Sequence, residues 1–258
     1  MKTMIPLTVF VTSFLVGLPS FAQEMPPGNM IVNTACSIND GYAFTDAVEA
    51  GRSLSYDGDS GPNLVFYRQP IATADTPSTF ALRVAYWDNL EHWARGSGGL
   101  GNRFAAANLN EIMTCNNTNR SFFINRNVGQ GGDAYAGGEN DQSLSAARFC
   151  QVKSGNTLED VYAALVAIQQ PYLDQGNTTL MQLSHRFLNP AEGDEMGTNI
   201  IIRLIGETPE GLAARLDMSP KVVGLPDDAP VMNCQDQSLW ATHVIWWGIY
   251  IAAYIVIM

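Results

Sequence analysis

Cys36-Ser37-Ile38-Asn39-Asp40-Gly41 and Cys150-Gln151-Val152-Lys153-Ser154-Gly155 are built on one grammar. Each puts Cys at the end of a short apolar run and Gly five residues later. Each then continues into apolar side chains spaced as one helix face: Phe44, Ala47, Val48, Gly51 and Leu54 after the first, Leu158, Val161, Tyr162, Leu165 and Ile168 after the second. Two copies of a strand, a turn and a helix in one chain read as a tandem duplication.

Working outward from the first copy, apolar and turn patterns predict strand 31–38, helix 45–54, strand 63–69, strand 79–87, a helix over about 89–95 with a continuation toward 110 left open, and a strand over 112–125 with a break in it. The second copy repeats the order: strand 147–152, helix 158–173, strand 180–188, strand 199–206, helix 209–216 and a strand from 231 onward. Thr208 before Pro209, with Glu210 in the first turn, is a helix start with an N-cap oxygen and an acid at the positive dipole end. The Gly-rich stretch 127–143 separates the halves as a linker. The expected organisation is a signal segment over 1–22, a first half over 31–126, a second half over 144–246, and an apolar tail over 247–258.

This β-α-β-β-α-β order resembles the ferredoxin-like fold, and a tandem pair of such units resembles the dimeric α+β barrel superfamily, in which two sheets face one another. The fold class is therefore α+β, with two halves forming an internal pseudo-dimer.

The chain has four cysteines, which allow three pairings. Cys115 and Cys234 occupy matching places near the ends of their halves, so the repeat selects Cys36 with Cys115 and Cys150 with Cys234. The fold resemblance implies the same, because it makes the first and fourth strands of each half antiparallel neighbours. No closely spaced Cys/His set for a metal is present.

Lys2, the apolar run from Ile5 to Leu18, Pro19 and Ser20-Phe21-Ala22 have the form of an export signal with cleavage before Gln23. Together with the cysteines this points to a periplasmic or extracellular protein. The net charge of -11 and the lack of a Lys/Arg cluster remove the electrostatic basis for binding nucleic acid. From Gln237 to Met258 no charged residue occurs. The repeat claims Ser238-Leu239-Trp240 for a last strand, which leaves too short an apolar run for a membrane helix. A buried strand with an apolar tail is favoured over a C-terminal membrane anchor.

Charged residues inside apolar strands are the candidates for chemistry, because a buried charge needs a partner. Arg83 and Arg203 lie in the third strands of the halves, and Arg68 and Arg186 in the second, preceded by Tyr67 and His185. Arg83 shares a strand face with Ala81, Ala85 and Trp87, and Arg203 with Ile201 and Ile205. Tyr67, Arg83, His185 and Arg203 form the candidate ligand set, with the guanidinium groups suited to an anion. The competing expectation is a structural ion pair for Arg83 and Arg203, and edge exposure for Arg68 and Arg186.

The barrel resemblance implies that a haem-binding version would use His185 as axial ligand. His92 is expected on a helix surface and His243 in the apolar tail. Tyr86, Trp87 and Trp93 read as core or pocket lining. Asp57, Asp59, Asp133, Glu139 and Asp141 match no calcium-loop spacing, and no Gly-x-Ser-x-Gly nucleophile turn exists. No cofactor motif is found, and the partner is an unidentified small molecule or protein. With no catalytic constellation, the leading expectation is a non-catalytic binding or interaction module. The alternatives are a small-molecule enzyme of the monooxygenase or haem-dependent α+β barrel type, and a membrane-tethered periplasmic component.

Overall fold

A computed structural model describes residues 24–56, 60–74, 76–129, 142–188, 198–218 and 231–248. The signal segment 1–22, the acidic positions 57, 59, 133, 139 and 141, most of the linker and the tail beyond 248 lie outside the described residues. The elements in chain order are β1 (Asn29–Ile38), α1 (Phe44–Arg52), β2 (Leu64–Ala72), β3 (Phe80–Trp87), α2 (Leu90–Ser97), α3 (Leu100–Ala106), α4 (Leu109–Ile112), β4 (Met113–Cys115) and β5 (Ser121–Asn127). They are followed by β6 (Gln142–Val152), α5 (Leu158–Leu173), β7 (Leu180–Leu188), β8 (Asn199–Ile205), α6 (Pro209–Met218), β9 (Met232–Cys234) and β10 (Ser238–Trp247).

The two matched glycines do the same local work. Gly41 (φ 87°) and Gly155 (φ 86°) both adopt left-handed backbone, which turns the end of β1 or β6 toward its helix. Thr157 then caps α5 in a reciprocal box with Asp160, its hydroxyl accepting from the Asp160 amide at 3.2 Å while the carboxylate accepts from the Thr157 amide at 2.8 Å.

The eight long strands close into a barrel in the order β10-β2-β3-β1-β5-β7-β8-β6, with β6 pairing back to β10. Residues 29–127 supply β2-β3-β1-β5 and residues 142–247 supply β7-β8-β6-β10. Two antiparallel seams, β5 with β7 and β10 with β2, join these sets. The fold is thus a mixed α+β barrel, as the resemblance implied. β4 and β9 are short appendages on β1 and β6, and each brings a cysteine into register: Cys36 opposite Cys115, Cys150 opposite Cys234. Both pairs are disulfides.

Because every barrel strand is covered on both faces, alternation sorts side chains into an interior and two outer layers. Ile31, Phe66, Val84, Phe123, Leu180, Ile201 and Val244 meet inside the barrel. Met30, Val32, Val65, Tyr67, Ala85 and Trp87 pack outward beneath α1–α4. Leu183, Ile202 and Cys150 pack outward beneath α5.

Several expectations are corrected. The helix expected over 89–95 is α2, but its continuation toward 110 is two further helices, interrupted around Gly98 and again at Asn108, whose φ of 52° breaks the helical backbone. The break expected in the strand over 112–125 is present as residues 116–120 between β4 and β5, because the short β4 stops once it has delivered Cys115 to β1. β6 starts at Gln142, five residues before its expected start and inside the stretch read as linker, since β10 continues the pairing out to Gln142. Trp247, placed in the tail by the sequence, ends β10 opposite Leu64. Among the described residues no helix is long and apolar enough to cross a membrane.

The disulfides span sequence separations of 79 and 84 residues, so each constrains a long loop of the unfolded chain. Replacing either cysteine pair by serine is expected to lower stability by about 2–5 kcal/mol, measured as a fall in the urea midpoint, with a steeper slope because the released unfolded chain exposes more surface.

Candidate functional site

Arg83 lies at the centre of the outward face of the β1–β3 sheet. Its direct cross-strand neighbours are Thr34 on β1 and Tyr67 on β2. The guanidinium carbon stacks 4.8 Å from the centroid of Phe104 on α3. Nε and Nη2 of Arg83, the hydroxyls of Thr34 and Tyr67, and Nε1 of Trp87 are buried without a hydrogen-bond partner among the described residues, and the Tyr56 hydroxyl lies beside the Arg83 guanidinium, which acts on it by charge and as a donor. A guanidinium presents Nε and Nη2 as one flat edge that accepts two oxygens of an anion side by side.

Other groups reinforce the positive character. The Tyr56 hydroxyl feels both Arg83 and Arg103. Arg120 is held below the usual arginine range first by burial and then by Arg83. Burial raises Tyr56 and Tyr67 above the ordinary phenol value, and the arginine charges only partly oppose this. Both tyrosines are neutral and able to donate. Gly51 lets α1 descend onto this layer, since a Cβ there would stand 3.0 Å from the Tyr67 hydroxyl and 2.9 Å from its ring. The result is a buried cluster of hydrogen-bond donors around Arg83.

His92 was missed as a candidate. Expected on a helix surface, it is buried on the inward face of α2 and packed edge-on against Trp87, with centroids 5.1 Å apart. Its burial follows from Asn89, whose Oδ1 caps the helix by accepting from the His92 amide at 2.9 Å and fixes the helix phase. Nδ1 lies 3.0 Å from Oδ2 of Asp88, whose other oxygen accepts from Asn63 at 2.7 Å. The Asp88 amide also points at Nδ1, at 3.4 Å; the closer carboxylate favours a proton on Nδ1, and the buried Nε2 is left without a partner. The sequence signal was the Asp88-Asn89 pair directly before the helix. Tyr56, Arg103 and Arg120 carried no such signal, because only tertiary packing brings loop, helix and strand together.

Arg203 lies elsewhere. Counted from the cysteine-paired residues, Ala81 opposite Cys36 corresponds to Ile200 opposite Cys150, so the position matching Arg83 is Ile202. The one-residue offset sends Arg203 into the barrel interior, where Nη1 donates to Ser184 Oγ at 2.6 Å and Asn125 Oδ1 at 3.4 Å. Arg68 also faces inward, packed over Phe66 at 4.6 Å, and by the same counting it corresponds to Ser184, not Arg186. It is buried rather than edge-exposed; the expectation failed because β2 is paired on both sides. Among the described residues Arg83 forms no ion pair with an acid. Tyr67 and Arg83 converge; Arg203 and His185 do not join them. Tyr86 reaches into the barrel to donate to Gln182 at 3.1 Å, while Trp87 and Trp93 line the outer layer.

His185 sits on the outer face of β7, with its Nδ1 3.0 Å from Nη1 of Arg126. Burial, then Arg126, pulls its pKa down to about 4. A guanidinium only donates, so Nδ1 must accept and the proton of the neutral ring resides on Nε2. An axial haem ligand needs the reverse, a free Nε2 lone pair backed by an Nδ1 proton. The residues present at His185 do not fit haem. His243, expected in the tail, is part of β10 and packs edge-on against Phe44 at 5.4 Å.

No protein-family model matches the sequence, and no curated relative is found. Among solved structures, the chain is similar to a monooxygenase candidate from Lactobacillus acidophilus at TM-score 0.50 and 8% identity, over 86% of this chain and 96% of that one. An anthrone oxidase-like protein follows at 0.45 and 13%, over 87% and 95%. A chlorite dismutase mutant from Candidatus Nitrospira defluvii gives 0.48 and 12%, over 85% and 93%. At such identity the likeness establishes the fold alone. The expectation of a non-catalytic module is nonetheless corrected, because the structures found on this fold carry enzyme names and back the enzymatic alternative.

Folding lowers the His185 pKa from 6.5 to about 4, so between those values the unfolded chain binds more protons than the folded one. Stability falls as pH drops through that window. His243, also lowered chiefly by burial, adds to the effect. Urea midpoints measured from pH 7 to 4.5 are expected to decline, and His185→Gln is expected to flatten the decline. An unchanged slope in the variant would contradict the assigned environment.

Proposed function

We propose that this protein is an exported small-molecule enzyme of the monooxygenase type that works without haem on a substrate able to form an enolate or phenolate. The buried, unpartnered Nε/Nη2 edge of Arg83 beside the hydroxyls of Tyr56, Tyr67 and Thr34 carries the proposal. Leaving such groups unpaired in a core costs roughly 1–3 kcal/mol each, and a bound guest that accepts from them removes that cost. The same donors stabilise negative charge that develops on the guest's oxygen when it loses a proton.

Asp88 and His92 are the candidate proton acceptor: the carboxylate fixes the tautomer that leaves Nε2 free. Trp87, against which His92 packs, lies on the same outward strand face as Arg83 and about 13 Å along it, at roughly 3.3 Å per residue. A fused-ring substrate is long enough to address both ends. Oxidation of a substrate methylene to a carbonyl by one dioxygen, with water as the second product, balances without an added reductant. The substrate carbon supplies all four electrons. Dioxygen is then the only co-substrate required.

The wider organisation belongs to the same proposal. The two strand sets, over 31–126 and 144–246, derive from one copied unit; their shared strand order and the paired Gly41 and Gly155 turns support this. Export through a signal segment over 1–22 to the periplasm or the exterior accords with two disulfides in one small chain.

Two measurements test this. The secreted protein is expected to begin at Gln23 and to consume dioxygen with hydroxyanthrone- or hydroxyquinol-like substrates. Arg83→Met is expected to lower kcat/KM by about 10²–10³-fold while the protein still folds. Absence of oxygen uptake across such a panel, or a stoichiometric Soret band in the active protein, would refute the proposal.

A further inference from the structure

The inward positions of the eight barrel strands carry Arg68, Arg186 and Arg203 and not one Asp or Glu. This is unexpected in a chain with 25 acids and 14 bases. Buried arginine is ordinarily matched by a carboxylate, because removing a cation from water costs several kcal/mol. Arg203 is accommodated by Ser184 and Asn125, and Arg186 by the ring of Phe123 at 5.5 Å together with further contacts. Arg68 is different. It is buried, one face of its guanidinium lies on Phe66, and both atoms of its chelating edge, Nε and Nη2, have no hydrogen-bond partner among the described residues.

The surroundings of Arg68 are polar and donor-rich. Thr242 lies directly opposite it on β10, and the Thr242 hydroxyl shares a hydrogen bond of 3.2 Å with Ser145 on β6. On the other side is Leu82 of β3. One residue pair nearer the barrel mouth, Phe80 and Trp240 stand edge to face at 6.1 Å. Phe80 also borders an open depression of about 400 Å³ shared with Ala35, Ser37 and Asn116. Arg68 lies one inward layer below this aromatic pair, counted along β2 and β10.

We infer that the barrel interior is a second ligand site, in which the Nε/Nη2 edge of Arg68 holds a small oxyanion, a phosphate, sulfate or carboxylate, two of whose oxygens accept from that edge. This site is separated by the sheet from the outward-facing Arg83 cluster and does not depend on the enzymatic proposal. It explains why a cation is retained at a barrel position where an apolar residue would otherwise fill the space without desolvation cost. Three inward cations and no acid also give the interior a positive potential that draws anions in, although the chain as a whole repels them.

Selenate, a sulfate analogue with an anomalous signal, is the direct probe. Crystals of the whole protein soaked in selenate are expected to show an anomalous peak inside the barrel within hydrogen-bond distance of Arg68 Nε and Nη2. An interior holding only water there overturns the inference. In solution, phosphate, sulfate and acetate are compared with chloride at equal ionic strength. An oxyanion at about 100 times its Kd is expected to raise the melting temperature by roughly 5–10 °C. Arg68→Met, which keeps the apolar stem, is expected to lose that shift, and Arg83→Met to retain it. A shift equal to that in chloride, or one abolished by Arg83→Met alone, overturns the inference. Should Arg68→Met fail to fold, the soak of the wild-type protein still decides.

Discussion

Two seams of backbone hydrogen bonds, β5 to β7 and β10 to β2, govern the rest of the molecule. Without them residues 29–127 and 142–247 would each present a four-stranded sheet with open edges, and unpaired strand edges invite association with other chains. With them the sheet has no free edge, and every strand acquires an inner and an outer face. The inner face is shared by both strand sets, while each outer face belongs to its own helices. The layer between sheet and helices and the barrel interior are therefore chemically separate.

That separation makes strand register the variable on which chemistry depends. Arg83 and Arg203 differ by one residue in their distance from the cysteine-paired position, and one residue suffices to put them on opposite faces. Arg83 then joins two phenols and a threonine hydroxyl beneath α1–α4, whereas Arg203 enters a network with Ser184 and Asn125. The disulfides do not set this register alone. Each ties β1 or β6 to a short appendage, and the long barrel strands are aligned by their own ladders.

The outer layers are also unequal. The first set carries three short helices after β3, with His92, Gly96 and Phe104 turned inward, and Gly96 allows close approach to the Ser60 carbonyl and Trp87. The second set carries one long helix, α5, over an aliphatic layer of Leu165, Leu183 and Ile202. Polar, unpartnered groups concentrate under the short helices, which is why the proposed chemistry falls to one side of a molecule whose two strand sets share one order.

Much of the fold was legible locally. The Cys-to-Gly spacing announced a strand, a turn and a helix twice, and helix 158–173 and strand 180–188 have the bounds that periodicity predicts, because propensity, capping by Thr157 and burial all agree there. Disulfide pairing followed from the repeat. What the sequence by itself could not determine is which face each strand residue takes once counting errors of one position enter, and which distant side chains share a layer. Tyr56, Arg103 and Arg120 reach Arg83 only through packing between loop, helix and sheet, and His92 is buried because Asn89 fixes the start of its helix. Period-two alternation reads a strand's pattern but not its absolute register, and register belongs to the pairing partner; hence the elements were written in the chain, and the site only in their assembly.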